Sequence, residues 1–238
     1  MEAGADIEAK VGEDGFTALM FASLRGHTAT VQLLVEAGAN KEVKDYTNCY
    51  TVLIFTSAKG HTEIVQVLVE AGADMEAKVN DFDFTALMIA SAHGHAATVQ
   101  VLVEAGANME AKDNSGCTAL MITSLKGHTE IVQLLVEADA DKEAKDGEDG
   151  RNALMFASLR GHTATARLLV EMGVDMEAKD NVHEYTALMF ASLNGHNGIV
   201  QLLVEAGADK EAKSMNGHKA LDIARAGKYT EMMAFLEN

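Results

Sequence analysis

A Gly-His pair recurs along the chain at intervals of 33 or 34 residues, and this period constrains the fold more than any other feature. An Ala-Leu-Met triplet or a variant of it precedes each pair, and Val-Gln-Leu-Leu-Val-Glu or a close variant follows it. A period of about 20 to 50 residues is typical of arrays in which each unit packs on its neighbours. The six pairs begin at Gly26, Gly60, Gly94, Gly127, Gly161 and Gly195.

Each unit is predicted to contain two short helices and a turn. Thr17 is a good N-cap residue for a first helix that Gly26 ends. Thr28 is predicted to cap a second helix that stops at Gly38, because glycine enters the left-handed conformation without steric cost. Neither helix reaches the ~12 residues that an isolated helix needs, so neighbouring units must bury each other. The predicted fold class is an all-α repeat solenoid in which the turn-forming segment 39–50 and its equivalents project as hairpin loops.

These units resemble the ankyrin repeat across essentially the whole chain. The family's Thr-Pro-Leu-His box is altered, because Pro is Ala or Val and His is Met or Ile in every full copy, which replaces a buried hydrogen-bonding ring by a hydrophobic side chain. The resemblance implies an ankyrin-like stack of helix-turn-helix units with projecting β-hairpin loops. The matching positions of the first unit are Gly15, Thr17, Leu19, Ala22, Gly26, His27, Val31, Leu34, Gly38, Ala39, Asn40, Lys44 and Asp45.

The predicted organisation is a single repeat domain, residues 1–238. Residues 1–10 match the tail of a unit, so we expect the C-terminal part of a longer array, or an array with an exposed first repeat. The segment 214–238 is predicted to be a C-terminal capping repeat, because Asp222, Arg225 and Glu237 stand at positions that are uncharged in the other units, and a solenoid end needs a polar face. The full repeats between them are 11–44, 45–78, 79–112, 113–145, 146–179 and 180–213.

Charge and motif content argue against several functional classes. The net charge is −17, whereas a nucleic-acid or anionic-membrane binder needs a cationic surface, so neither is expected as a partner. The two cysteines form no CxxC pair, and no signal-type N-terminus or apolar run of membrane-spanning length is present, which favours a cytoplasmic location. No catalytic or phosphate-binding motif appears, so we expect neither an enzyme nor a cofactor.

The Gly-His histidines are predicted to be structural residues that make hydrogen bonds in the turns. Adjacent helix pairs stack about 10 Å apart, whereas two ligands of one zinc ion each lie about 2 Å from it. We therefore expect no metal site.

Candidate partner-binding residues lie where the copies of the repeat differ, at the hairpin tips. Drift in a tolerant loop is the alternative, but such drift should be polar, and half of the twelve aromatic residues lie in these tips. Tyr, Phe and Arg are over-represented at interfaces. On this reading, Tyr50→Ala and Phe84→Ala should weaken partner binding and leave the melting temperature nearly unchanged. The tip candidates are Phe16, Tyr46, Tyr50, Phe82, Phe84, Arg151 and Tyr185.

A second row of candidates precedes each Gly-His pair and is called here the basic stripe. On an acidic chain, these bases are expected to follow the first helices along the side that lines the concave groove of ankyrin-like arrays; solvated decoration of the surface is the alternative. The basic stripe consists of Arg25, Lys59, His93, Lys126 and Arg160, with Asn194 at the next position.

The sequence therefore predicts a non-catalytic scaffold that binds a protein partner through hairpin tips and groove. The alternative is a structural spacer, or a consensus-like engineered array without a dedicated partner, which the near-identity of the units favours. We expect a monomer, with any self-association weak and through the uncapped N-terminal face.

Overall fold

The computed structural model describes residues 6–79 and 82–237. Within these residues the chain forms fourteen helices and no strand beyond one antiparallel bridge between Val11 and Phe16, so the fold is the expected all-α repeat solenoid. The chain divides into two compact units, residues 1–114 (unit 1) and 115–238 (unit 2). That residues 1–238 form a single domain stays a prediction.

Unit 1 holds three helix pairs and unit 2 holds four. The helices of unit 1 are α1 (Ala18–Leu24), α2 (Thr28–Glu36), α3 (Val52–Lys59), α4 (Thr62–Glu70), α5 (Ala86–His93) and α6 (Ala96–Glu104). The helices of unit 2 are α7 (Ala119–Lys126), α8 (Thr129–Glu137), α9 (Ala153–Arg160), α10 (Thr163–Glu171), α11 (Ala187–Leu193), α12 (Asn197–Glu205), α13 (Ala220–Gly227) and α14 (Thr230–Glu237).

The first helix of a pair starts as predicted, whereas the second does not. Thr17 Oγ1 accepts a hydrogen bond from the Met20 amide at 3.4 Å, which makes Thr17 the N-cap of α1. The N-cap of α2 is His27, whose side chain makes no capping bond, and Thr28 is already helical. The prediction that Thr28 caps this helix is therefore wrong. Its hydroxyl instead donates to the Glu63 carboxylate of the next repeat at 3.3 Å.

The residues of the altered box lie in the core of each unit. First helices pack on first helices, as α1 on α3 and α7 on α9, and second helices pack on second helices, as α2 on α4. The Met or Ile that stands in place of the family's His is fully buried in every copy, which confirms that a hydrophobic side chain fills this position. These residues are Met20, Ile54, Met88, Met121, Met155 and Met189.

The first helix pair exposes positions that the later pairs bury fully or in part. Leu33 is 66% exposed, whereas Leu202, at the same position of a unit 2 repeat, is 6% exposed. Ala18 is exposed and its counterpart Val52 is fully buried. One apolar face of α1 and α2, which includes Ala18 and Leu33, is therefore exposed to solvent.

Two sets of hydrogen bonds join successive repeats beneath the hairpin loops. The Lys10 ammonium donates to the Lys44 carbonyl at 3.2 Å, and the Lys44 ammonium donates to the Lys78 carbonyl at 3.3 Å. The carboxylate of Glu42 accepts from the amide of Asp74 at 3.0 Å, 32 residues along the chain. Both patterns recur in unit 2, so each repeat binds the main chain of its neighbour.

The residues that distinguish the last pair interact with one another. Arg225 lies 2.9 Å from the Glu237 carboxylate and 4.0 Å from that of Asp222. Asp222 also accepts from the Lys219 amide at 3.0 Å. Lys219 pairs with Glu211, and this hydrogen-bonded carboxylate raises the pKa of the lysine. The polar face expected at this end is thus a small network of ion pairs.

Candidate interaction surface

The tip rings of unit 1 fall into two groups. Tyr46 is 64% exposed and Phe82 is 59% exposed, so both present a large apolar surface to solvent. Phe16, Tyr50 and Phe84 are half-buried. The row of residues that precedes the first-helix caps therefore lies closer to the core than the two rings at the outer ends of the tips.

The half-buried rings rest on the first helices. Phe16 lies edge-on between Phe21 and Phe55, with both pairs of ring centroids 5.3 Å apart, and Tyr50 also meets Phe55 at 5.3 Å. Sequence reasoning missed Phe21 and Phe55, the supports of these rings. The available signal was their position, since each follows the Met or Ile of its box directly.

Phe84 packs on a small apolar cluster. The cluster consists of Ile54, Val79 and Ile89, with Tyr50 and Phe84 against it. Val79 stands where the preceding repeat has Asp45, whose carboxylate is buried and accepts from the Tyr50 amide at 2.6 Å. One hairpin is thus held by a buried carboxylate, and the next by hydrophobic contact.

In unit 2, two predicted tip residues meet on a single ring. The Arg151 guanidinium lies 5.2 Å from the Phe190 ring centroid, and Tyr185 packs edge-on against the same ring at 5.7 Å. Arg151 also forms an ion pair with Asp149 at 2.8 Å. Phe190 is a buried residue of α11 that sequence reasoning did not select.

The basic stripe lies on exposed helix ends. Lys59 and His93 are the last residues of α3 and α5, Lys126 and Arg160 are the last residues of α7 and α9, and Arg25 is the C-cap of α1. All five side chains are exposed. A cation at the C-terminal end of a helix also interacts favourably with the helix dipole and stabilises the helix by about 0.3–1 kcal/mol. The basic stripe therefore has a structural role of its own.

The cations of the basic stripe lack protein partners in the described part of the chain. None of the ion pairs or hydrogen bonds among these residues involves the side chain of Arg25, Lys59, Lys126 or Arg160. His93 differs, because its Nδ1 lies 2.9 Å from the Ile89 carbonyl and its ring stacks on His95. In unit 2, Lys126 and Arg160 line one hollow of about 350 Å³.

Four Gly-His histidines, His61, His95, His162 and His196, bind the preceding repeat rather than their own turn. His162 Nε2 lies 3.0 Å from the Leu125 carbonyl, 37 residues earlier, and His196 Nε2 lies 3.2 Å from that of Leu159. A carbonyl only accepts, so Nε2 carries the proton. Within the described residues, no cluster of three or more His, Cys, Asp or Glu side chains could hold a metal ion.

Two further findings concern membrane-spanning helices and the two cysteines. The helices of the described residues are seven to nine residues long, and none is long and apolar enough to cross a bilayer. Cys49 and Cys117 form no disulfide.

Comparison with known proteins gives one result for sequence families and another for individual relatives. A family model described as ankyrin repeats in three copies matches residues 1–79, 53–146, 87–180 and 144–214. No curated protein sequence matches the chain.

Many solved structures share the fold, and two ankyrin repeat domains illustrate the likeness. The ankyrin repeat domain of Bcl-3, described as a unique member of the IkappaB family, superposes with a TM-score of 0.84 at 28% identity, over 95% of this chain and 100% of that one. The human ASB11 ankyrin repeat domain gives a TM-score of 0.80 at 23% identity, over 93% of this chain and 97% of that one.

Proposed function

Because the chain belongs to the ankyrin repeat family, whose domains are generally protein-interaction modules, we propose that it is a non-catalytic scaffold that binds a protein partner. The observation that supports this most directly is the exposure of two large rings, Tyr46 and Phe82, on neighbouring hairpin tips of unit 1. Exposed aromatic rings are over-represented at protein interfaces, where they bury a large area at low cost in side-chain entropy.

The tip residues have two roles: some contact the partner, and others hold the contacting rings in place. Tyr46 and Phe82 contact the partner directly, and each is held by a neighbour: the Lys10 ammonium lies 4.3 Å from the Tyr46 ring centroid, and Phe84 lies 5.9 Å from Phe82. Phe16, Tyr50 and Phe84 offer the partner only their outer edges. In unit 2, Arg151 and Tyr185 form a corresponding contact point on Phe190.

The basic stripe supplies the charged part of the contact. Charged groups around aromatic anchors steer association and fix register more than they raise affinity. We place the protein in the cytoplasm, a proposal supported by the low cysteine content and by the family, which is often intracellular. We expect a monomer.

Site-specific photo-crosslinking tests this proposal. A benzophenone amino acid replaces Tyr46 or Phe82 in the full chain, and matched controls carry it at Gln66 or Gln100, which are exposed on the second helices of the same unit. After irradiation in lysate from the source cells, we expect the tip positions to capture one discrete protein that the second-helix positions do not capture.

Affinity measurements with the captured protein complete the test. The double variant Tyr46→Ala/Phe82→Ala should bind it at least about 30-fold more weakly, which corresponds to about 2 kcal/mol at an interface hot spot. Gln66→Ala/Gln100→Ala should bind as the parent does. Capture that is equal from tips and second helices, or absent from both, would refute the scaffold proposal and favour a structural spacer or engineered array.

A further inference from the structure

The hollow between the ends of α7 and α9 in unit 2 has two cationic walls. Lys126 and Arg160 line it together with Leu125 and His162, and no carboxylate contributes to its lining. His162 already donates its Nε2 proton to the Leu125 carbonyl, which leaves the two exposed bases as the charged groups of the hollow.

Lys126 and Arg160 are two of the 19 bases on a chain with 36 acids. Three other bases of unit 2 lie close to carboxylates: Arg151 lies 2.8 Å from Asp149, Lys179 lies 3.4 Å from Glu184, and Arg225 lies 2.9 Å from Glu237. Lys126 and Arg160 pair with no carboxylate of the described residues; Arg167 does not either, but it does not line the hollow. Their charges are therefore available to a ligand.

We propose that this hollow binds an acidic segment of the protein partner, with one carboxylate on Lys126 and one on Arg160. This inference rests on the proposed scaffold function and specifies the chemistry of the partner. Neighbouring packed helices lie about 8–10 Å apart, and a polyproline-II segment has three residues per turn and rises about 3.1 Å per residue. Two acidic residues three positions apart in such a segment therefore lie on one face and span about 9 Å.

A short acidic segment fits this surface better than a nucleic acid does. A nucleic acid presents a charge at every nucleotide and would meet the repulsion of a chain with a net charge of −17 along its whole length. A segment with two or three carboxylates lies close to the two cations of the hollow and is attracted by them. Its repulsion by the acidic groups elsewhere on the surface is largely screened beyond the Debye length, which is about 8–10 Å at 0.1–0.15 M salt.

Peptide binding to the full-length chain tests the inference. The probe is a fluorescein-labelled synthetic peptide with glutamate at every third position and serine between, and its control has glutamine in place of glutamate. Fluorescence anisotropy at about 100 mM salt should show saturable binding of the glutamate peptide, weakened at about 1 M salt, where the Debye length falls to about 3 Å. The glutamine peptide should not bind.

Two arginines of unit 2 provide a matched pair of variants. Arg160→Gln removes a wall of the hollow, and Arg167→Gln removes the same charge from the exposed surface of α10, where the other full repeats carry glutamine. Arg160→Gln should weaken the glutamate peptide about five-fold, the equivalent of the ~1 kcal/mol between contacting charges in water. Arg167→Gln should change affinity less than two-fold. Lys126→Gln should repeat the loss independently, and Arg160→Lys should retain most of the affinity.

Three results would overturn the inference: no saturable binding of the glutamate peptide, equal losses in Arg160→Gln and Arg167→Gln, or equal binding of the two peptides. Each of these leaves the cross-linking test of the scaffold untouched, because that test uses Tyr46 and Phe82 in unit 1. A tip-dependent partner that binds Arg160→Gln as tightly as the parent would retain the scaffold function and reject the acidic segment.

Discussion

Replacing Phe84 by Ala separates the packing role of the tip rings from their role in contact. Phe84 packs on the cluster of Ile54, Val79 and Ile89, whereas its neighbour Phe82 is 59% exposed. Truncation of a fully buried Phe costs about 3–5 kcal/mol, so the half-buried Phe84 should cost about 2 kcal/mol. Phe82→Ala should cost less than about 1 kcal/mol, the worth of its contact with the Phe84 ring.

Urea unfolding followed by far-UV circular dichroism measures this difference. In a chain of this size about 2 kcal/mol corresponds to a fall of about 4–8 °C in melting temperature, so thermal unfolding gives an independent reading. The sequence alone predicted no such fall. Equal unfolding midpoints for Phe84→Ala and the parent would refute the packing argument. Phe84 would then be a residue that contacts the partner and adds little to the stability of the fold.

The remaining predictions use residues that the repeat presents in two environments. Leu33→Ala should change the free energy of unfolding by less than about 0.5 kcal/mol, and Leu202→Ala should lower it by about 2–5 kcal/mol, because only Leu202 is buried; similar costs in urea unfolding would show that the face of α1 and α2 is covered in solution. Gly207→Ala should cost about 1–2 kcal/mol, because φ is +92° there and no atom lies within 4 Å of the added methyl group. Gly161→Ala should cost about 1 kcal/mol more, since its methyl group would lie 2.7 Å from the His196 ring and displace it from the Leu159 carbonyl. The extra cost of Gly161→Ala should disappear in a His196→Ala background, and its persistence there would contradict the collision.

The fold within one repeat is predictable from sequence because its signals are local. Thr17 and Gly38 act over a few residues, as a cap and as a helix terminator, and both behave as predicted. The burial of the box Met also follows from its position in an apolar helix. Thr28 was misassigned because two adjacent polar residues, His27 and Thr28, both suit a helix start, and only the chain path decides between them.

Contacts between repeats were harder to predict, because they depend on how each helix pair rotates and rises relative to the next. The His162 bond to the Leu125 carbonyl spans 37 residues, and the ring contact of Phe16 with Phe55 spans 39. Neither separation equals the period of 34, so alignment of the repeats does not reveal them. The aromatic and basic residues of the candidate surface were found from sequence, but their division into exposed anchors and half-buried supports was not.

The hydrogen bonds that join successive repeats have a consequence for the length of the array. Lys44 binds a main-chain carbonyl of Lys78, and Glu42 binds a main-chain amide of Asp74, so neither bond depends on a side chain of the next repeat. Removal of residues 45–78 would leave Lys44 facing the Lys112 carbonyl and Glu42 facing the Asn108 amide, groups that now serve Lys78 and Glu76. These main-chain bonds therefore persist when a repeat is lost or duplicated whole, whereas side-chain contacts between repeats, such as Thr28 with Glu63 and Phe16 with Phe55, would change.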